Sequence, residues 1–439
     1  MMSAKEQAAL EIVKRLTGKG YKALYAGGYV RDMLMTGAEP GDIDIATNAR
    51  PTEITSLFPQ VIGVGEHFGV MIVVKNGIPF EVATFRSDLG TLDGRHPRQV
   101  EYTNEEQDAQ RRDFTINGMF FDPLKQQVLD YVSGREDLRQ KLVRAIGDPG
   151  LRFEEDFLRL LRAIRFAARF DFTIEENTWK ALQEKVGGIA RVSPERIFQE
   201  IDKMITGPNS EKALELLDHS GLLSRALPEV AATKGVRQPE EFHPEGDVFI
   251  HTCKTLSLLV RPSRIVAWSA LLHDTGKPGT MTVSDRIRFS NHQHAGAVIA
   301  AQTLRRLKAP GSLIEGVCEC IENHMNFMNV RKMRLSTLKK FLSRPWFEEE
   351  MDLHRADCLA SHGDVSNYDF LRQKQKEIPL HEAKPRPLLT GKDLIALGFT
   401  PGPAFGKILV EAYDAQLEAK IATKEEAVSW AKQLLSKGE

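Results

Sequence analysis

The chain has 439 residues, of which 42% are hydrophobic and 27% charged, and its formal net charge is −1. This length is too great for one hydrophobic core and predicts two to four domains. The near-zero charge excludes steering of nucleic acid by net charge, so such a partner would have to be bound by local basic patches. Four scattered cysteines give a poor zinc signal, and no apolar run reaches membrane-spanning length. We expect a cytoplasmic, reduced protein without a signal peptide.

The N-terminal third alternates predicted helices and strands. A helix is expected over residues 4–19, and strands are expected at KALYAGG, GDIDIAT, GVMIVVKN, IPFEVATF and RQVEYT. PTEITSLF is expected to be a short helix with Pro51 in its first turn. From LRFEEDFLRLLRAIRFAARF onward, nearly every segment has a helical pattern. The sequence therefore predicts an α/β head that is complete by about Asp148 and a long helical remainder, with a boundary in the 230–247 loop and a linker near 383–390.

The segment GGYVRDMLMTGAEPGDIDIAT, residues 27–47, has the most informative pattern. Ile43 and Ile45 are predicted to lie on the buried face of a strand, so Asp42 and Asp44 project from the opposite face. Two carboxylates beside a glycine-rich turn suit Mg²⁺ carrying a nucleoside triphosphate. An exposed strand with polar positions is the alternative interpretation of this pattern when it is taken alone.

Other groups in the head suit the same ligand. Gly27 and Gly28 would let the backbone approach phosphates, and Arg31, oriented by Asp32, can donate to them. Glu81 in IPFEVATF would complete the metal cluster or orient an attacking hydroxyl if its strand pairs beside GDIDIAT. An ordinary surface position explains Glu81 about equally well.

RRDFTINGMF, residues 111–120, adds two arginines that suit phosphate contacts, among them Arg112. Asp113 and Asn117 can both accept hydrogen bonds from ribose hydroxyls, and Asp113 could also cap a helix. Together these groups support nucleotidyl transfer. One Mg²⁺ would activate an RNA 3′-hydroxyl, and a second would neutralise the leaving pyrophosphate.

The run EEDFLRLLRAIRFAARF is predicted to place Asp156, Arg159, Arg162 and Arg165 on one face of a helix. Three arginines without a lysine favour forked recognition of phosphate or of a base edge. Cytosine and adenine each present an amino donor beside a ring-nitrogen acceptor, which matches an acceptor at Asp156 beside a donor at Arg159. Uracil and guanine present a carbonyl in place of the amino group, so Asp156 would face another acceptor. The hypothesis is a protein side-chain template for C and A.

The ordered motifs GGYVRD…DID, RRDFTIN, DYVSGREDLRQKLVRAIGDP, RFEEDFLRLLRAIRFAARF and VSPERI resemble the class II tRNA nucleotidyltransferases over residues 22–230. That family includes CCA-adding, CC-adding and A-adding enzymes and bacterial poly(A) polymerases. The resemblance implies catalytic metal ligands at Asp42 and Asp44. It implies nucleotide contacts at Gly28, Arg31 and Arg112 and ribose contacts at Asp113 and Asn117. It also implies a base template formed by Glu155, Asp156 and Arg159, and triphosphate contacts at Arg162 and Arg165.

Which member of the family the chain resembles depends on the loop of residues 84–112, TFRSDLGTLDGRHPRQVEYTNEEQDAQRR. The CC-adding relatives lack the flexible loop that permits addition of the final A. Its presence favours addition of CCA, or of the final A alone, to the acceptor end of tRNA from CTP and ATP with Mg²⁺. An A-adding enzyme and a poly(A) polymerase are the alternatives within the family. An enzyme that is chiefly a phosphohydrolase is the alternative from another class.

A second constellation lies in FIHTCKTL, ALLHDTGKP, NHQHAGA, ENHMNF and HRADCLAS. It resembles the HD superfamily of metal-dependent phosphohydrolases over residues 245–365. The resemblance implies core ligands at His251, His273, Asp274 and Asp357, with His292 and His324 at positions that bind a second metal or phosphate. Nickel, manganese or cobalt would suit such a site. Hydrolysis of damaged RNA 3′ ends and a scaffold that merely retains its ligands are the two alternatives.

The two resemblances together imply an α+β protein. A small nucleotidyltransferase head similar to DNA polymerase β, residues 1–147, precedes a helical neck, 148–235, that carries the base template and binds RNA. An HD body, 240–370, and a helical tail, 371–439, follow. No membrane association is expected, and the sequence indicates no oligomeric state.

Overall fold

The computed structural model describes residues 2–36, 41–65, 69–91, 97–398 and 400–436. The chain divides into two compact units. The first runs to Ala231 and includes Arg306–Lys308, and the second consists of Ala232–Arg305 and the residues from Ala309 onward.

The first unit is built on a mixed sheet. Its strands are β1 (Ala23–Ala26), β2 (Asp44–Thr47), β3 (Val61–Gly65), β4 (Val70–Lys75), β5 (Ile78–Thr84), β6 (Arg86–Thr91), β7 (Pro97–Tyr102), β8 (Phe120–Asp122), β9 (Gln127–Leu129), β10 (Leu142–Val143) and β11 (Thr173–Ile174). Seven of them form one sheet in the order β3-β4-β5-β2-β1-β8-β9, in which only β2 and β5 pair in parallel. The strands β6 and β7 form a separate hairpin, and β10 pairs with β11.

Twelve α-helices surround or follow this sheet in the described part of the first unit. They are α1 (Ala4–Thr17), α2 (Gly28–Thr36), α3 (Pro51–Leu57), α4 (Glu105–Gln110), α5 (Gly134–Gln140), α6 (Pro149–Glu155), α7 (Leu158–Phe170), α8 (Glu176–Lys185), α9 (Pro194–Ile205), α10 (Ser210–His219), α11 (Leu222–Ala226) and α12 (Pro228–Ala231). Short 3-10 helices occur at Thr115–Asn117 and Val186–Arg191.

The helix α1 shows how sequence determines packing in the head. The Ser3 hydroxyl caps it by accepting from the Glu6 amide. Its buried residues, at positions 8, 9, 12, 13 and 16, follow the period of a helix and join the main head core beneath the sheet. Burial of each large apolar side chain stabilises the fold by about 1.5–3 kcal/mol. The predicted opening helix is therefore confirmed, with its end at Thr17.

The alternation predicted around β2 is confirmed. Ile43 and Ile45 are buried, whereas Asp42 and Asp44 are exposed. Ile45 aligns with Val82 in the parallel pairing of β2 and β5, which puts Glu81 next to Asp44 along neighbouring strands. The condition that the sequence argument placed on Glu81 is thereby met.

The prediction of one continuous helix through EEDFLRLLRAIRFAARF is wrong. Helix α6 ends at Glu155, Asp156 has an extended backbone, and α7 begins at Leu158. The Asp156 carboxylate accepts from the Leu158 amide at 3.0 Å. Such a local bond competes with continuation of a helix, because the side chain satisfies an amide that the helix would otherwise bind. Asp156 therefore does not share a helix face with the three arginines of α7.

The predicted loop over residues 84–112 contains regular structure. It contributes β6, β7 and α4, so its backbone leaves and returns to the head as a hairpin. Residues 92–96 of this loop lie outside the described residues.

The second unit is helical, with one hairpin of β12 (Met281–Val283) and β13 (Ile287–Phe289) that the sequence analysis did not predict. Its helices are α13 (Val248–Ser257), α14 (Arg264–Leu272), α15 (Lys277–Thr280), α16 (His292–Arg306), α17 (Gly311–Asn323), α18 (Leu335–Leu342), α19 (Phe347–Ala360), α20 (Ser366–Glu377), α21 (Leu380–Ala383), α22 (Gly391–Ala396), α23 (Pro403–Leu417) and α24 (Lys424–Ser436). A 3-10 helix spans His324–Lys332. The α+β fold class, a sheet-based head followed by a helical remainder, is confirmed.

Across the described ranges, no helix combines the length and the apolar character that crossing a membrane requires.

Candidate active site and metal centre

A basic cleft of about 720 Å³ lies on the first unit, above the ends of β1, β2 and β5. Its size is that of a small-molecule site. The acidic lining residues are Asp42, Asp44, Glu81, Asp113 and Asp156, and the basic ones are Arg31, Arg86, Arg111, Arg112, Arg159, Arg162, Arg165, Arg169 and Lys203. Positive charge therefore predominates, and the acids lie at the start of β2, in the middle of β5, just after α4 and at the break between α6 and α7.

The glycine pair permits a close approach at the floor of the cleft. Gly27 has φ 64°, and a Cβ there would lie 3.1 Å from the Arg112 guanidinium. At Gly28 a Cβ would meet the Arg31 guanidinium at 3.4 Å. A side chain at Gly27 would be strained and would crowd the arginine that points into the cleft.

The three strand carboxylates share the cleft, but they do not converge on one point. The Asp42 side chain is 97% exposed and accepts from Lys5 Nζ at 2.9 Å. The Asp44 and Glu81 side chains reach solvent, yet the surrounding protein atoms partly desolvate both carboxylates. Desolvation raises the pKa of Asp44, an effect that Arg112 opposes and Asp42 reinforces. The pKa of Glu81 is also raised, by desolvation and then by the charge of Asp44. Their mutual repulsion would be relieved by a cation between them.

The residues predicted to contact triphosphate and ribose are joined by hydrogen bonds. Arg31 donates to Asp32 at 2.7 Å and also to the Asn117 side-chain oxygen. The Asn117 amide donates to Asp113 at 3.0 Å, and Arg162 donates to the other Asp113 oxygen at 2.6 and 2.8 Å. Burial alone would raise the pKa of Asp113, but Arg162 and Asn117 hold it well below its usual range.

Asp108, which sequence reasoning missed, holds both arginines of the RRD motif. One of its oxygens accepts from Arg111 at 2.7 and 2.9 Å, and the other accepts from Arg112 at 3.0 and 3.2 Å. Asp108 is 1% exposed. Its position on α4, four residues before Arg112, gave an i,i+4 signal that the sequence analysis did not use.

The proposed template residues have other partners than expected. Both oxygens of Asp156 accept from Arg196, at 2.6 and 3.0 Å. Arg159 donates to Glu155 at 2.6 Å and to two backbone carbonyls. Asp156 and Arg159 both line the cleft, whereas Glu155 is bound to Arg159 and is absent from the lining. Arg196 lies in the VSPERI motif, to which sequence reasoning assigned no role.

The arginines of α7 stand against a pair of stacked aromatic rings. Phe166 and Phe170 lie 6.0 Å apart with an interplanar angle of 7°. Arg31 lies over both rings, with its guanidinium carbon 4.6 Å from the Phe170 centroid. Arg165 lies over Phe166, 4.2 Å from its centroid. Arg165 is also paired with the buried Glu200 at 2.6 Å. Cation–π contacts of this kind fix guanidinium groups whose charges repel each other.

In the second unit, the structure brings all six predicted metal ligands together. His251 lies on α13, and His273 and Asp274 directly follow α14. His292 begins α16, His324 follows α17, and Asp357 lies on α19. These six form two groups compact enough to hold an ion, namely His251, His273 and Asp357, and Asp274, His292 and His324; His243, Glu245 and His251 form a third such group among the described residues. His251 Nε2 is 3.0 Å from Asp357 Oδ1, and the Nε2 atoms of His292 and His324 are 3.2 Å apart.

The donor set fits a divalent transition metal. His273 Nε2 and both Asp274 oxygens are buried without a well-formed hydrogen bond, although Lys277 Nζ lies 2.7 Å from Asp274. Burial disfavours a protonated His324, and with His273 and His292 it lowers the His324 pKa to about 3. Burial opposes the positive charge on His251 as well, but Asp357 and Glu245 raise its pKa to about 9. Such metals take neutral imidazoles and carboxylates as ligands, so an ion that binds at His251 would displace the proton on Nε2.

Sequence reasoning missed four residues at this centre. Glu245 Oε1 lies 2.7 Å from His251 Nδ1 and 3.0 Å from His243 Nδ1, and Lys277 also donates to Gln238. Glu245 and His243 fall in the segment assigned to a boundary loop. Their signal was the run HPEG just before α13, which offers a histidine and a carboxylate six to eight residues ahead of His251.

Three family models match the chain in order. They describe a poly A polymerase head domain over residues 23–144, a probable RNA and SrmB-binding site of polymerase A over 171–234, and an HD domain over 248–362. Together they define a nucleotidyltransferase head followed by RNA-binding and HD regions.

Relatives and solved structures agree with this class. A CCA-adding enzyme of Geobacillus sp. (strain WCH70) is 42% identical over 49% of this chain and 53% of the relative, and one of Streptococcus mutans is 39% identical over 48% and 52%. The chain thus spans about half the length of the curated relatives it matches. The crystal structure of the Bacillus stearothermophilus CCA-adding enzyme in complex with CTP aligns over 99% of both chains, with 26% identity and a TM-score of 0.76. The chain thus combines a poly A polymerase head domain, an RNA-binding region and an HD domain, and it is similar along its length to a CCA-adding enzyme of known structure.

Proposed function

We propose that this chain is a template-independent tRNA nucleotidyltransferase that builds or repairs the 3′-terminal CCA from CTP and ATP. The observation that carries the proposal is the cleft of the first unit, in which strand carboxylates lie opposite an array of arginines. Such an array suits a polyanionic triphosphate, and carboxylates on the facing wall suit the cations that accompany it. The CTP complex of the similar solved structure is consistent with this ligand.

Each residue of the cleft has a distinct proposed task. Asp42 and Asp44 would hold Mg²⁺, which when bound would acidify the RNA 3′-hydroxyl and neutralise the leaving pyrophosphate. Glu81, whose pKa is raised by desolvation and by the charge of Asp44, is suited to orient that hydroxyl. Arg31 and Arg112 would contact the triphosphate, and Gly27 and Gly28 would let it reach the backbone.

The remaining cleft residues would hold the nucleoside. Asn117 and Asp113 would accept from the ribose hydroxyls, which requires the nucleotide to share Asp113 with Arg162. Triphosphate oxygens can attract Arg162 and Arg165 away from part of their present pairing. Nucleotide binding would thus replace ion pairs within the protein by ion pairs with the ligand.

Selection of C and A would fall to Asp156 and Arg159, with Glu155 holding Arg159. The fixed orientation of Asp156 by Arg196 supports the proposal, because a template must not rotate to suit the wrong base. At the helix break the Asp156 backbone is extended, and its carbonyl accepts from the Arg159 amide at 3.0 Å. Asp156 therefore acts as a template at a break between two helices.

Extension of three tRNA substrates tests the activity. Purified protein is incubated with tRNA ending at the discriminator base, at C, or at CC, with CTP and ATP singly and together. Growth to CCA from every end is expected. Extension only from CC would instead identify an A-adding enzyme, and long ladders on unrelated RNA would identify a poly(A) polymerase.

A second candidate activity is favoured by the convergence of six metal ligands in the HD region. We propose that this centre binds nickel, manganese or cobalt and hydrolyses phosphate esters at RNA 3′ ends. A phosphorylated 3′ end lacks the free hydroxyl that nucleotidyl transfer needs, so its removal would prepare the substrate for the head. Release of phosphate from p-nitrophenyl phosphate and opening of a 2′,3′-cyclic phosphate in the presence of these metals are the corresponding measurements. If wild-type protein converts neither substrate with any of the three metals, this activity is refuted.

Three further predictions are retained from the sequence. We propose a division into head (1–147), neck (148–235), HD body (240–370) and tail (371–439), which the order of the matched family regions supports. We also propose that the acceptor end of tRNA is the partner and that the protein acts in the cytoplasm.

A further inference from the structure

The segment that precedes α13 folds back on itself next to the HD ligands. A short antiparallel bridge joins Arg237 to Asp247, and the Gln238 amide donates to the Gly246 carbonyl at 3.0 Å. The Asp247 carboxylate accepts from the Gly235 amide at 2.7 Å and from two amides of the first turn of α13. This closed loop, residues 235–247, therefore has a defined position at the start of the helix that carries His251.

The loop places one buried carboxylate against two histidines. Glu245 Oε1 is 2.7 Å from His251 Nδ1 and 3.0 Å from His243 Nδ1, and no part of the Glu245 side chain is exposed. The two imidazoles stand edge to face with centroids 4.9 Å apart. A buried carboxylate that accepts from an imidazole keeps the proton on the nitrogen it contacts.

This contact determines which atom of His251 faces the HD centre. With Nδ1–H donating to Glu245, Nε2 is the atom that remains for a metal ion, and it lies 3.0 Å from Asp357 Oδ1 and 3.9 Å from Asp274 Oδ2. These carboxylates belong to the predicted ligand set. A carboxylate behind a ligating histidine orients the ring and increases its basicity as a ligand.

We propose that Glu245 is a positioning residue for the metal ligand His251, and that His243 shares its carboxylate at the rim of the centre. The inference rests on the HD centre being a metal site. Glu245 acts through the ring of His251 and does not itself bind the ion. The HD ligand set is thereby extended by a residue of the loop that precedes α13.

Calorimetric titration of the tag-free full-length protein with Ni²⁺ tests the proposal, since nickel prefers imidazole ligands. We expect Glu245→Ala to weaken the affinity for Ni²⁺ by about 10–100-fold with unchanged stoichiometry. Glu245→Gln, whose amide oxygen can still accept from Nδ1–H, should retain an intermediate affinity. Glu241→Ala, at an exposed position of the same loop, is the matched control and should bind as wild type does.

Thermal unfolding in the presence of a chelator shows whether the variants fold. If Glu245→Ala does not fold, the Ni²⁺ affinity of Glu245→Gln tests the proposal. Wild-type affinity in both variants would overturn the positioning role while leaving the metal centre intact. Loss of one bound Ni²⁺ would also overturn it, because Glu245 would then be a ligand, together with His243 and His251. Absence of Ni²⁺ binding by wild-type protein would refute the HD metal centre together with this inference, and extension of tRNA would be unaffected by that result.

Discussion

The two candidate sites satisfy their charged groups in opposite ways. In the cleft of the first unit, two of the five lining carboxylates already have arginine partners, since Asp113 is paired with Arg162 and Asp156 with Arg196. At the HD centre, His273 and Asp274 are buried with side-chain atoms that lack well-formed hydrogen bonds. The first arrangement suits a large, charged ligand that exchanges ion pairs with the protein. The second suits a small cation that enters a set of ligands already assembled.

Two buried acids that are not predicted metal ligands, Asp113 in the first unit and Glu350 in the second, also differ in their pKa. Arg162 holds the pKa of Asp113 below its usual range, whereas burial raises the pKa of Glu350 to about 7 despite Arg344 and Asn323. At pH 7 the Asp113 carboxylate is therefore charged, whereas the Glu350 carboxylate titrates close to that pH. The paired Arg162, and not exposure to solvent, keeps Asp113 charged in the nucleotide cleft.

The largest expected effect separates the two sites by activity. Asp44→Asn removes one of the two charges that would hold Mg²⁺ and should lower nucleotidyl transfer by about a thousand-fold, or about 4 kcal/mol of transition-state stabilisation. Single-turnover extension of tRNA ending in CC measures this. Ni²⁺ binding by the same variant should equal that of wild type.

Asp171→Asn, an exposed acid of the first unit, is the control for Asp44→Asn. A fall of less than tenfold in Asp44→Asn would contradict the role of Asp44 as a metal ligand.

The reciprocal change is the double variant His273→Ala/Asp274→Ala. It removes two converging ligands and should reduce hydrolysis of p-nitrophenyl phosphate and of 2′,3′-cyclic phosphate to background. Extension of tRNA should stay within twofold of wild type. Equal hydrolysis before and after the change would refute the phosphohydrolase activity at this centre.

A smaller effect is expected at the template. Asp156→Ala should decrease the preference for CTP and ATP over UTP and GTP by about 100-fold, since a misplaced carbonyl would no longer face a fixed acceptor. Ratios of kcat/KM for the four nucleotides measure this. Preservation of the wild-type ratios would exclude Asp156 from base selection.

The smallest effect concerns pH and stability. The folded pKa of Glu350, about 7, exceeds its ordinary 4.5, so its contribution to the stability of the folded state is full below pH 4.5 and is lost as the pH rises through 7. The sign is opposite for Asp113, whose lowered pKa makes its contribution present at neutral pH and lost in acid. Between pH 4.5 and 7 the free energy of unfolding of wild type relative to Glu350→Gln should fall by about 1–3 kcal/mol.

Urea unfolding of wild type and Glu350→Gln at several pH values, followed by the fluorescence of the buried Trp268 in the second unit, measures this difference. Glu349→Gln, at the preceding and exposed position, should show the wild-type slope. An identical slope in Glu350→Gln would show that Glu350 titrates in the folded protein as it does in the unfolded chain, which would contradict the raised pKa.

Local pattern was enough to predict much of this molecule. The alternation at Ile43 and Ile45 gave the strand, and the order of GGYVRD, DID and RRDFTIN gave the family and the cleft residues. The six predicted HD ligands, which the structure brings together, were recognisable because an adjacent histidine and aspartate occurs with further histidines in helical sequence. Each of these signals lies within a few residues of the chain or in the order of motifs.

Contacts between distant segments were not predictable in the same way. Arg196 holds Asp156 from 40 residues away, and the break at Asp156 depends on a side-chain bond that overrides the helical pattern around it. Glu245 was assigned to a boundary loop because Gly and Pro dominate its neighbourhood. Its burial follows from the fold of that loop, which hydrophobic periodicity does not encode.

The central claim, that the head adds CCA by reading bases with its own side chains, is tested most directly by sequencing RNA products. Wild-type protein is given tRNA ending at the discriminator base and all four nucleoside triphosphates at equal concentration. The account predicts products that end in C-C-A and grow no further. Incorporation of U or G at rates similar to C and A, or an open-ended run of A, would contradict it.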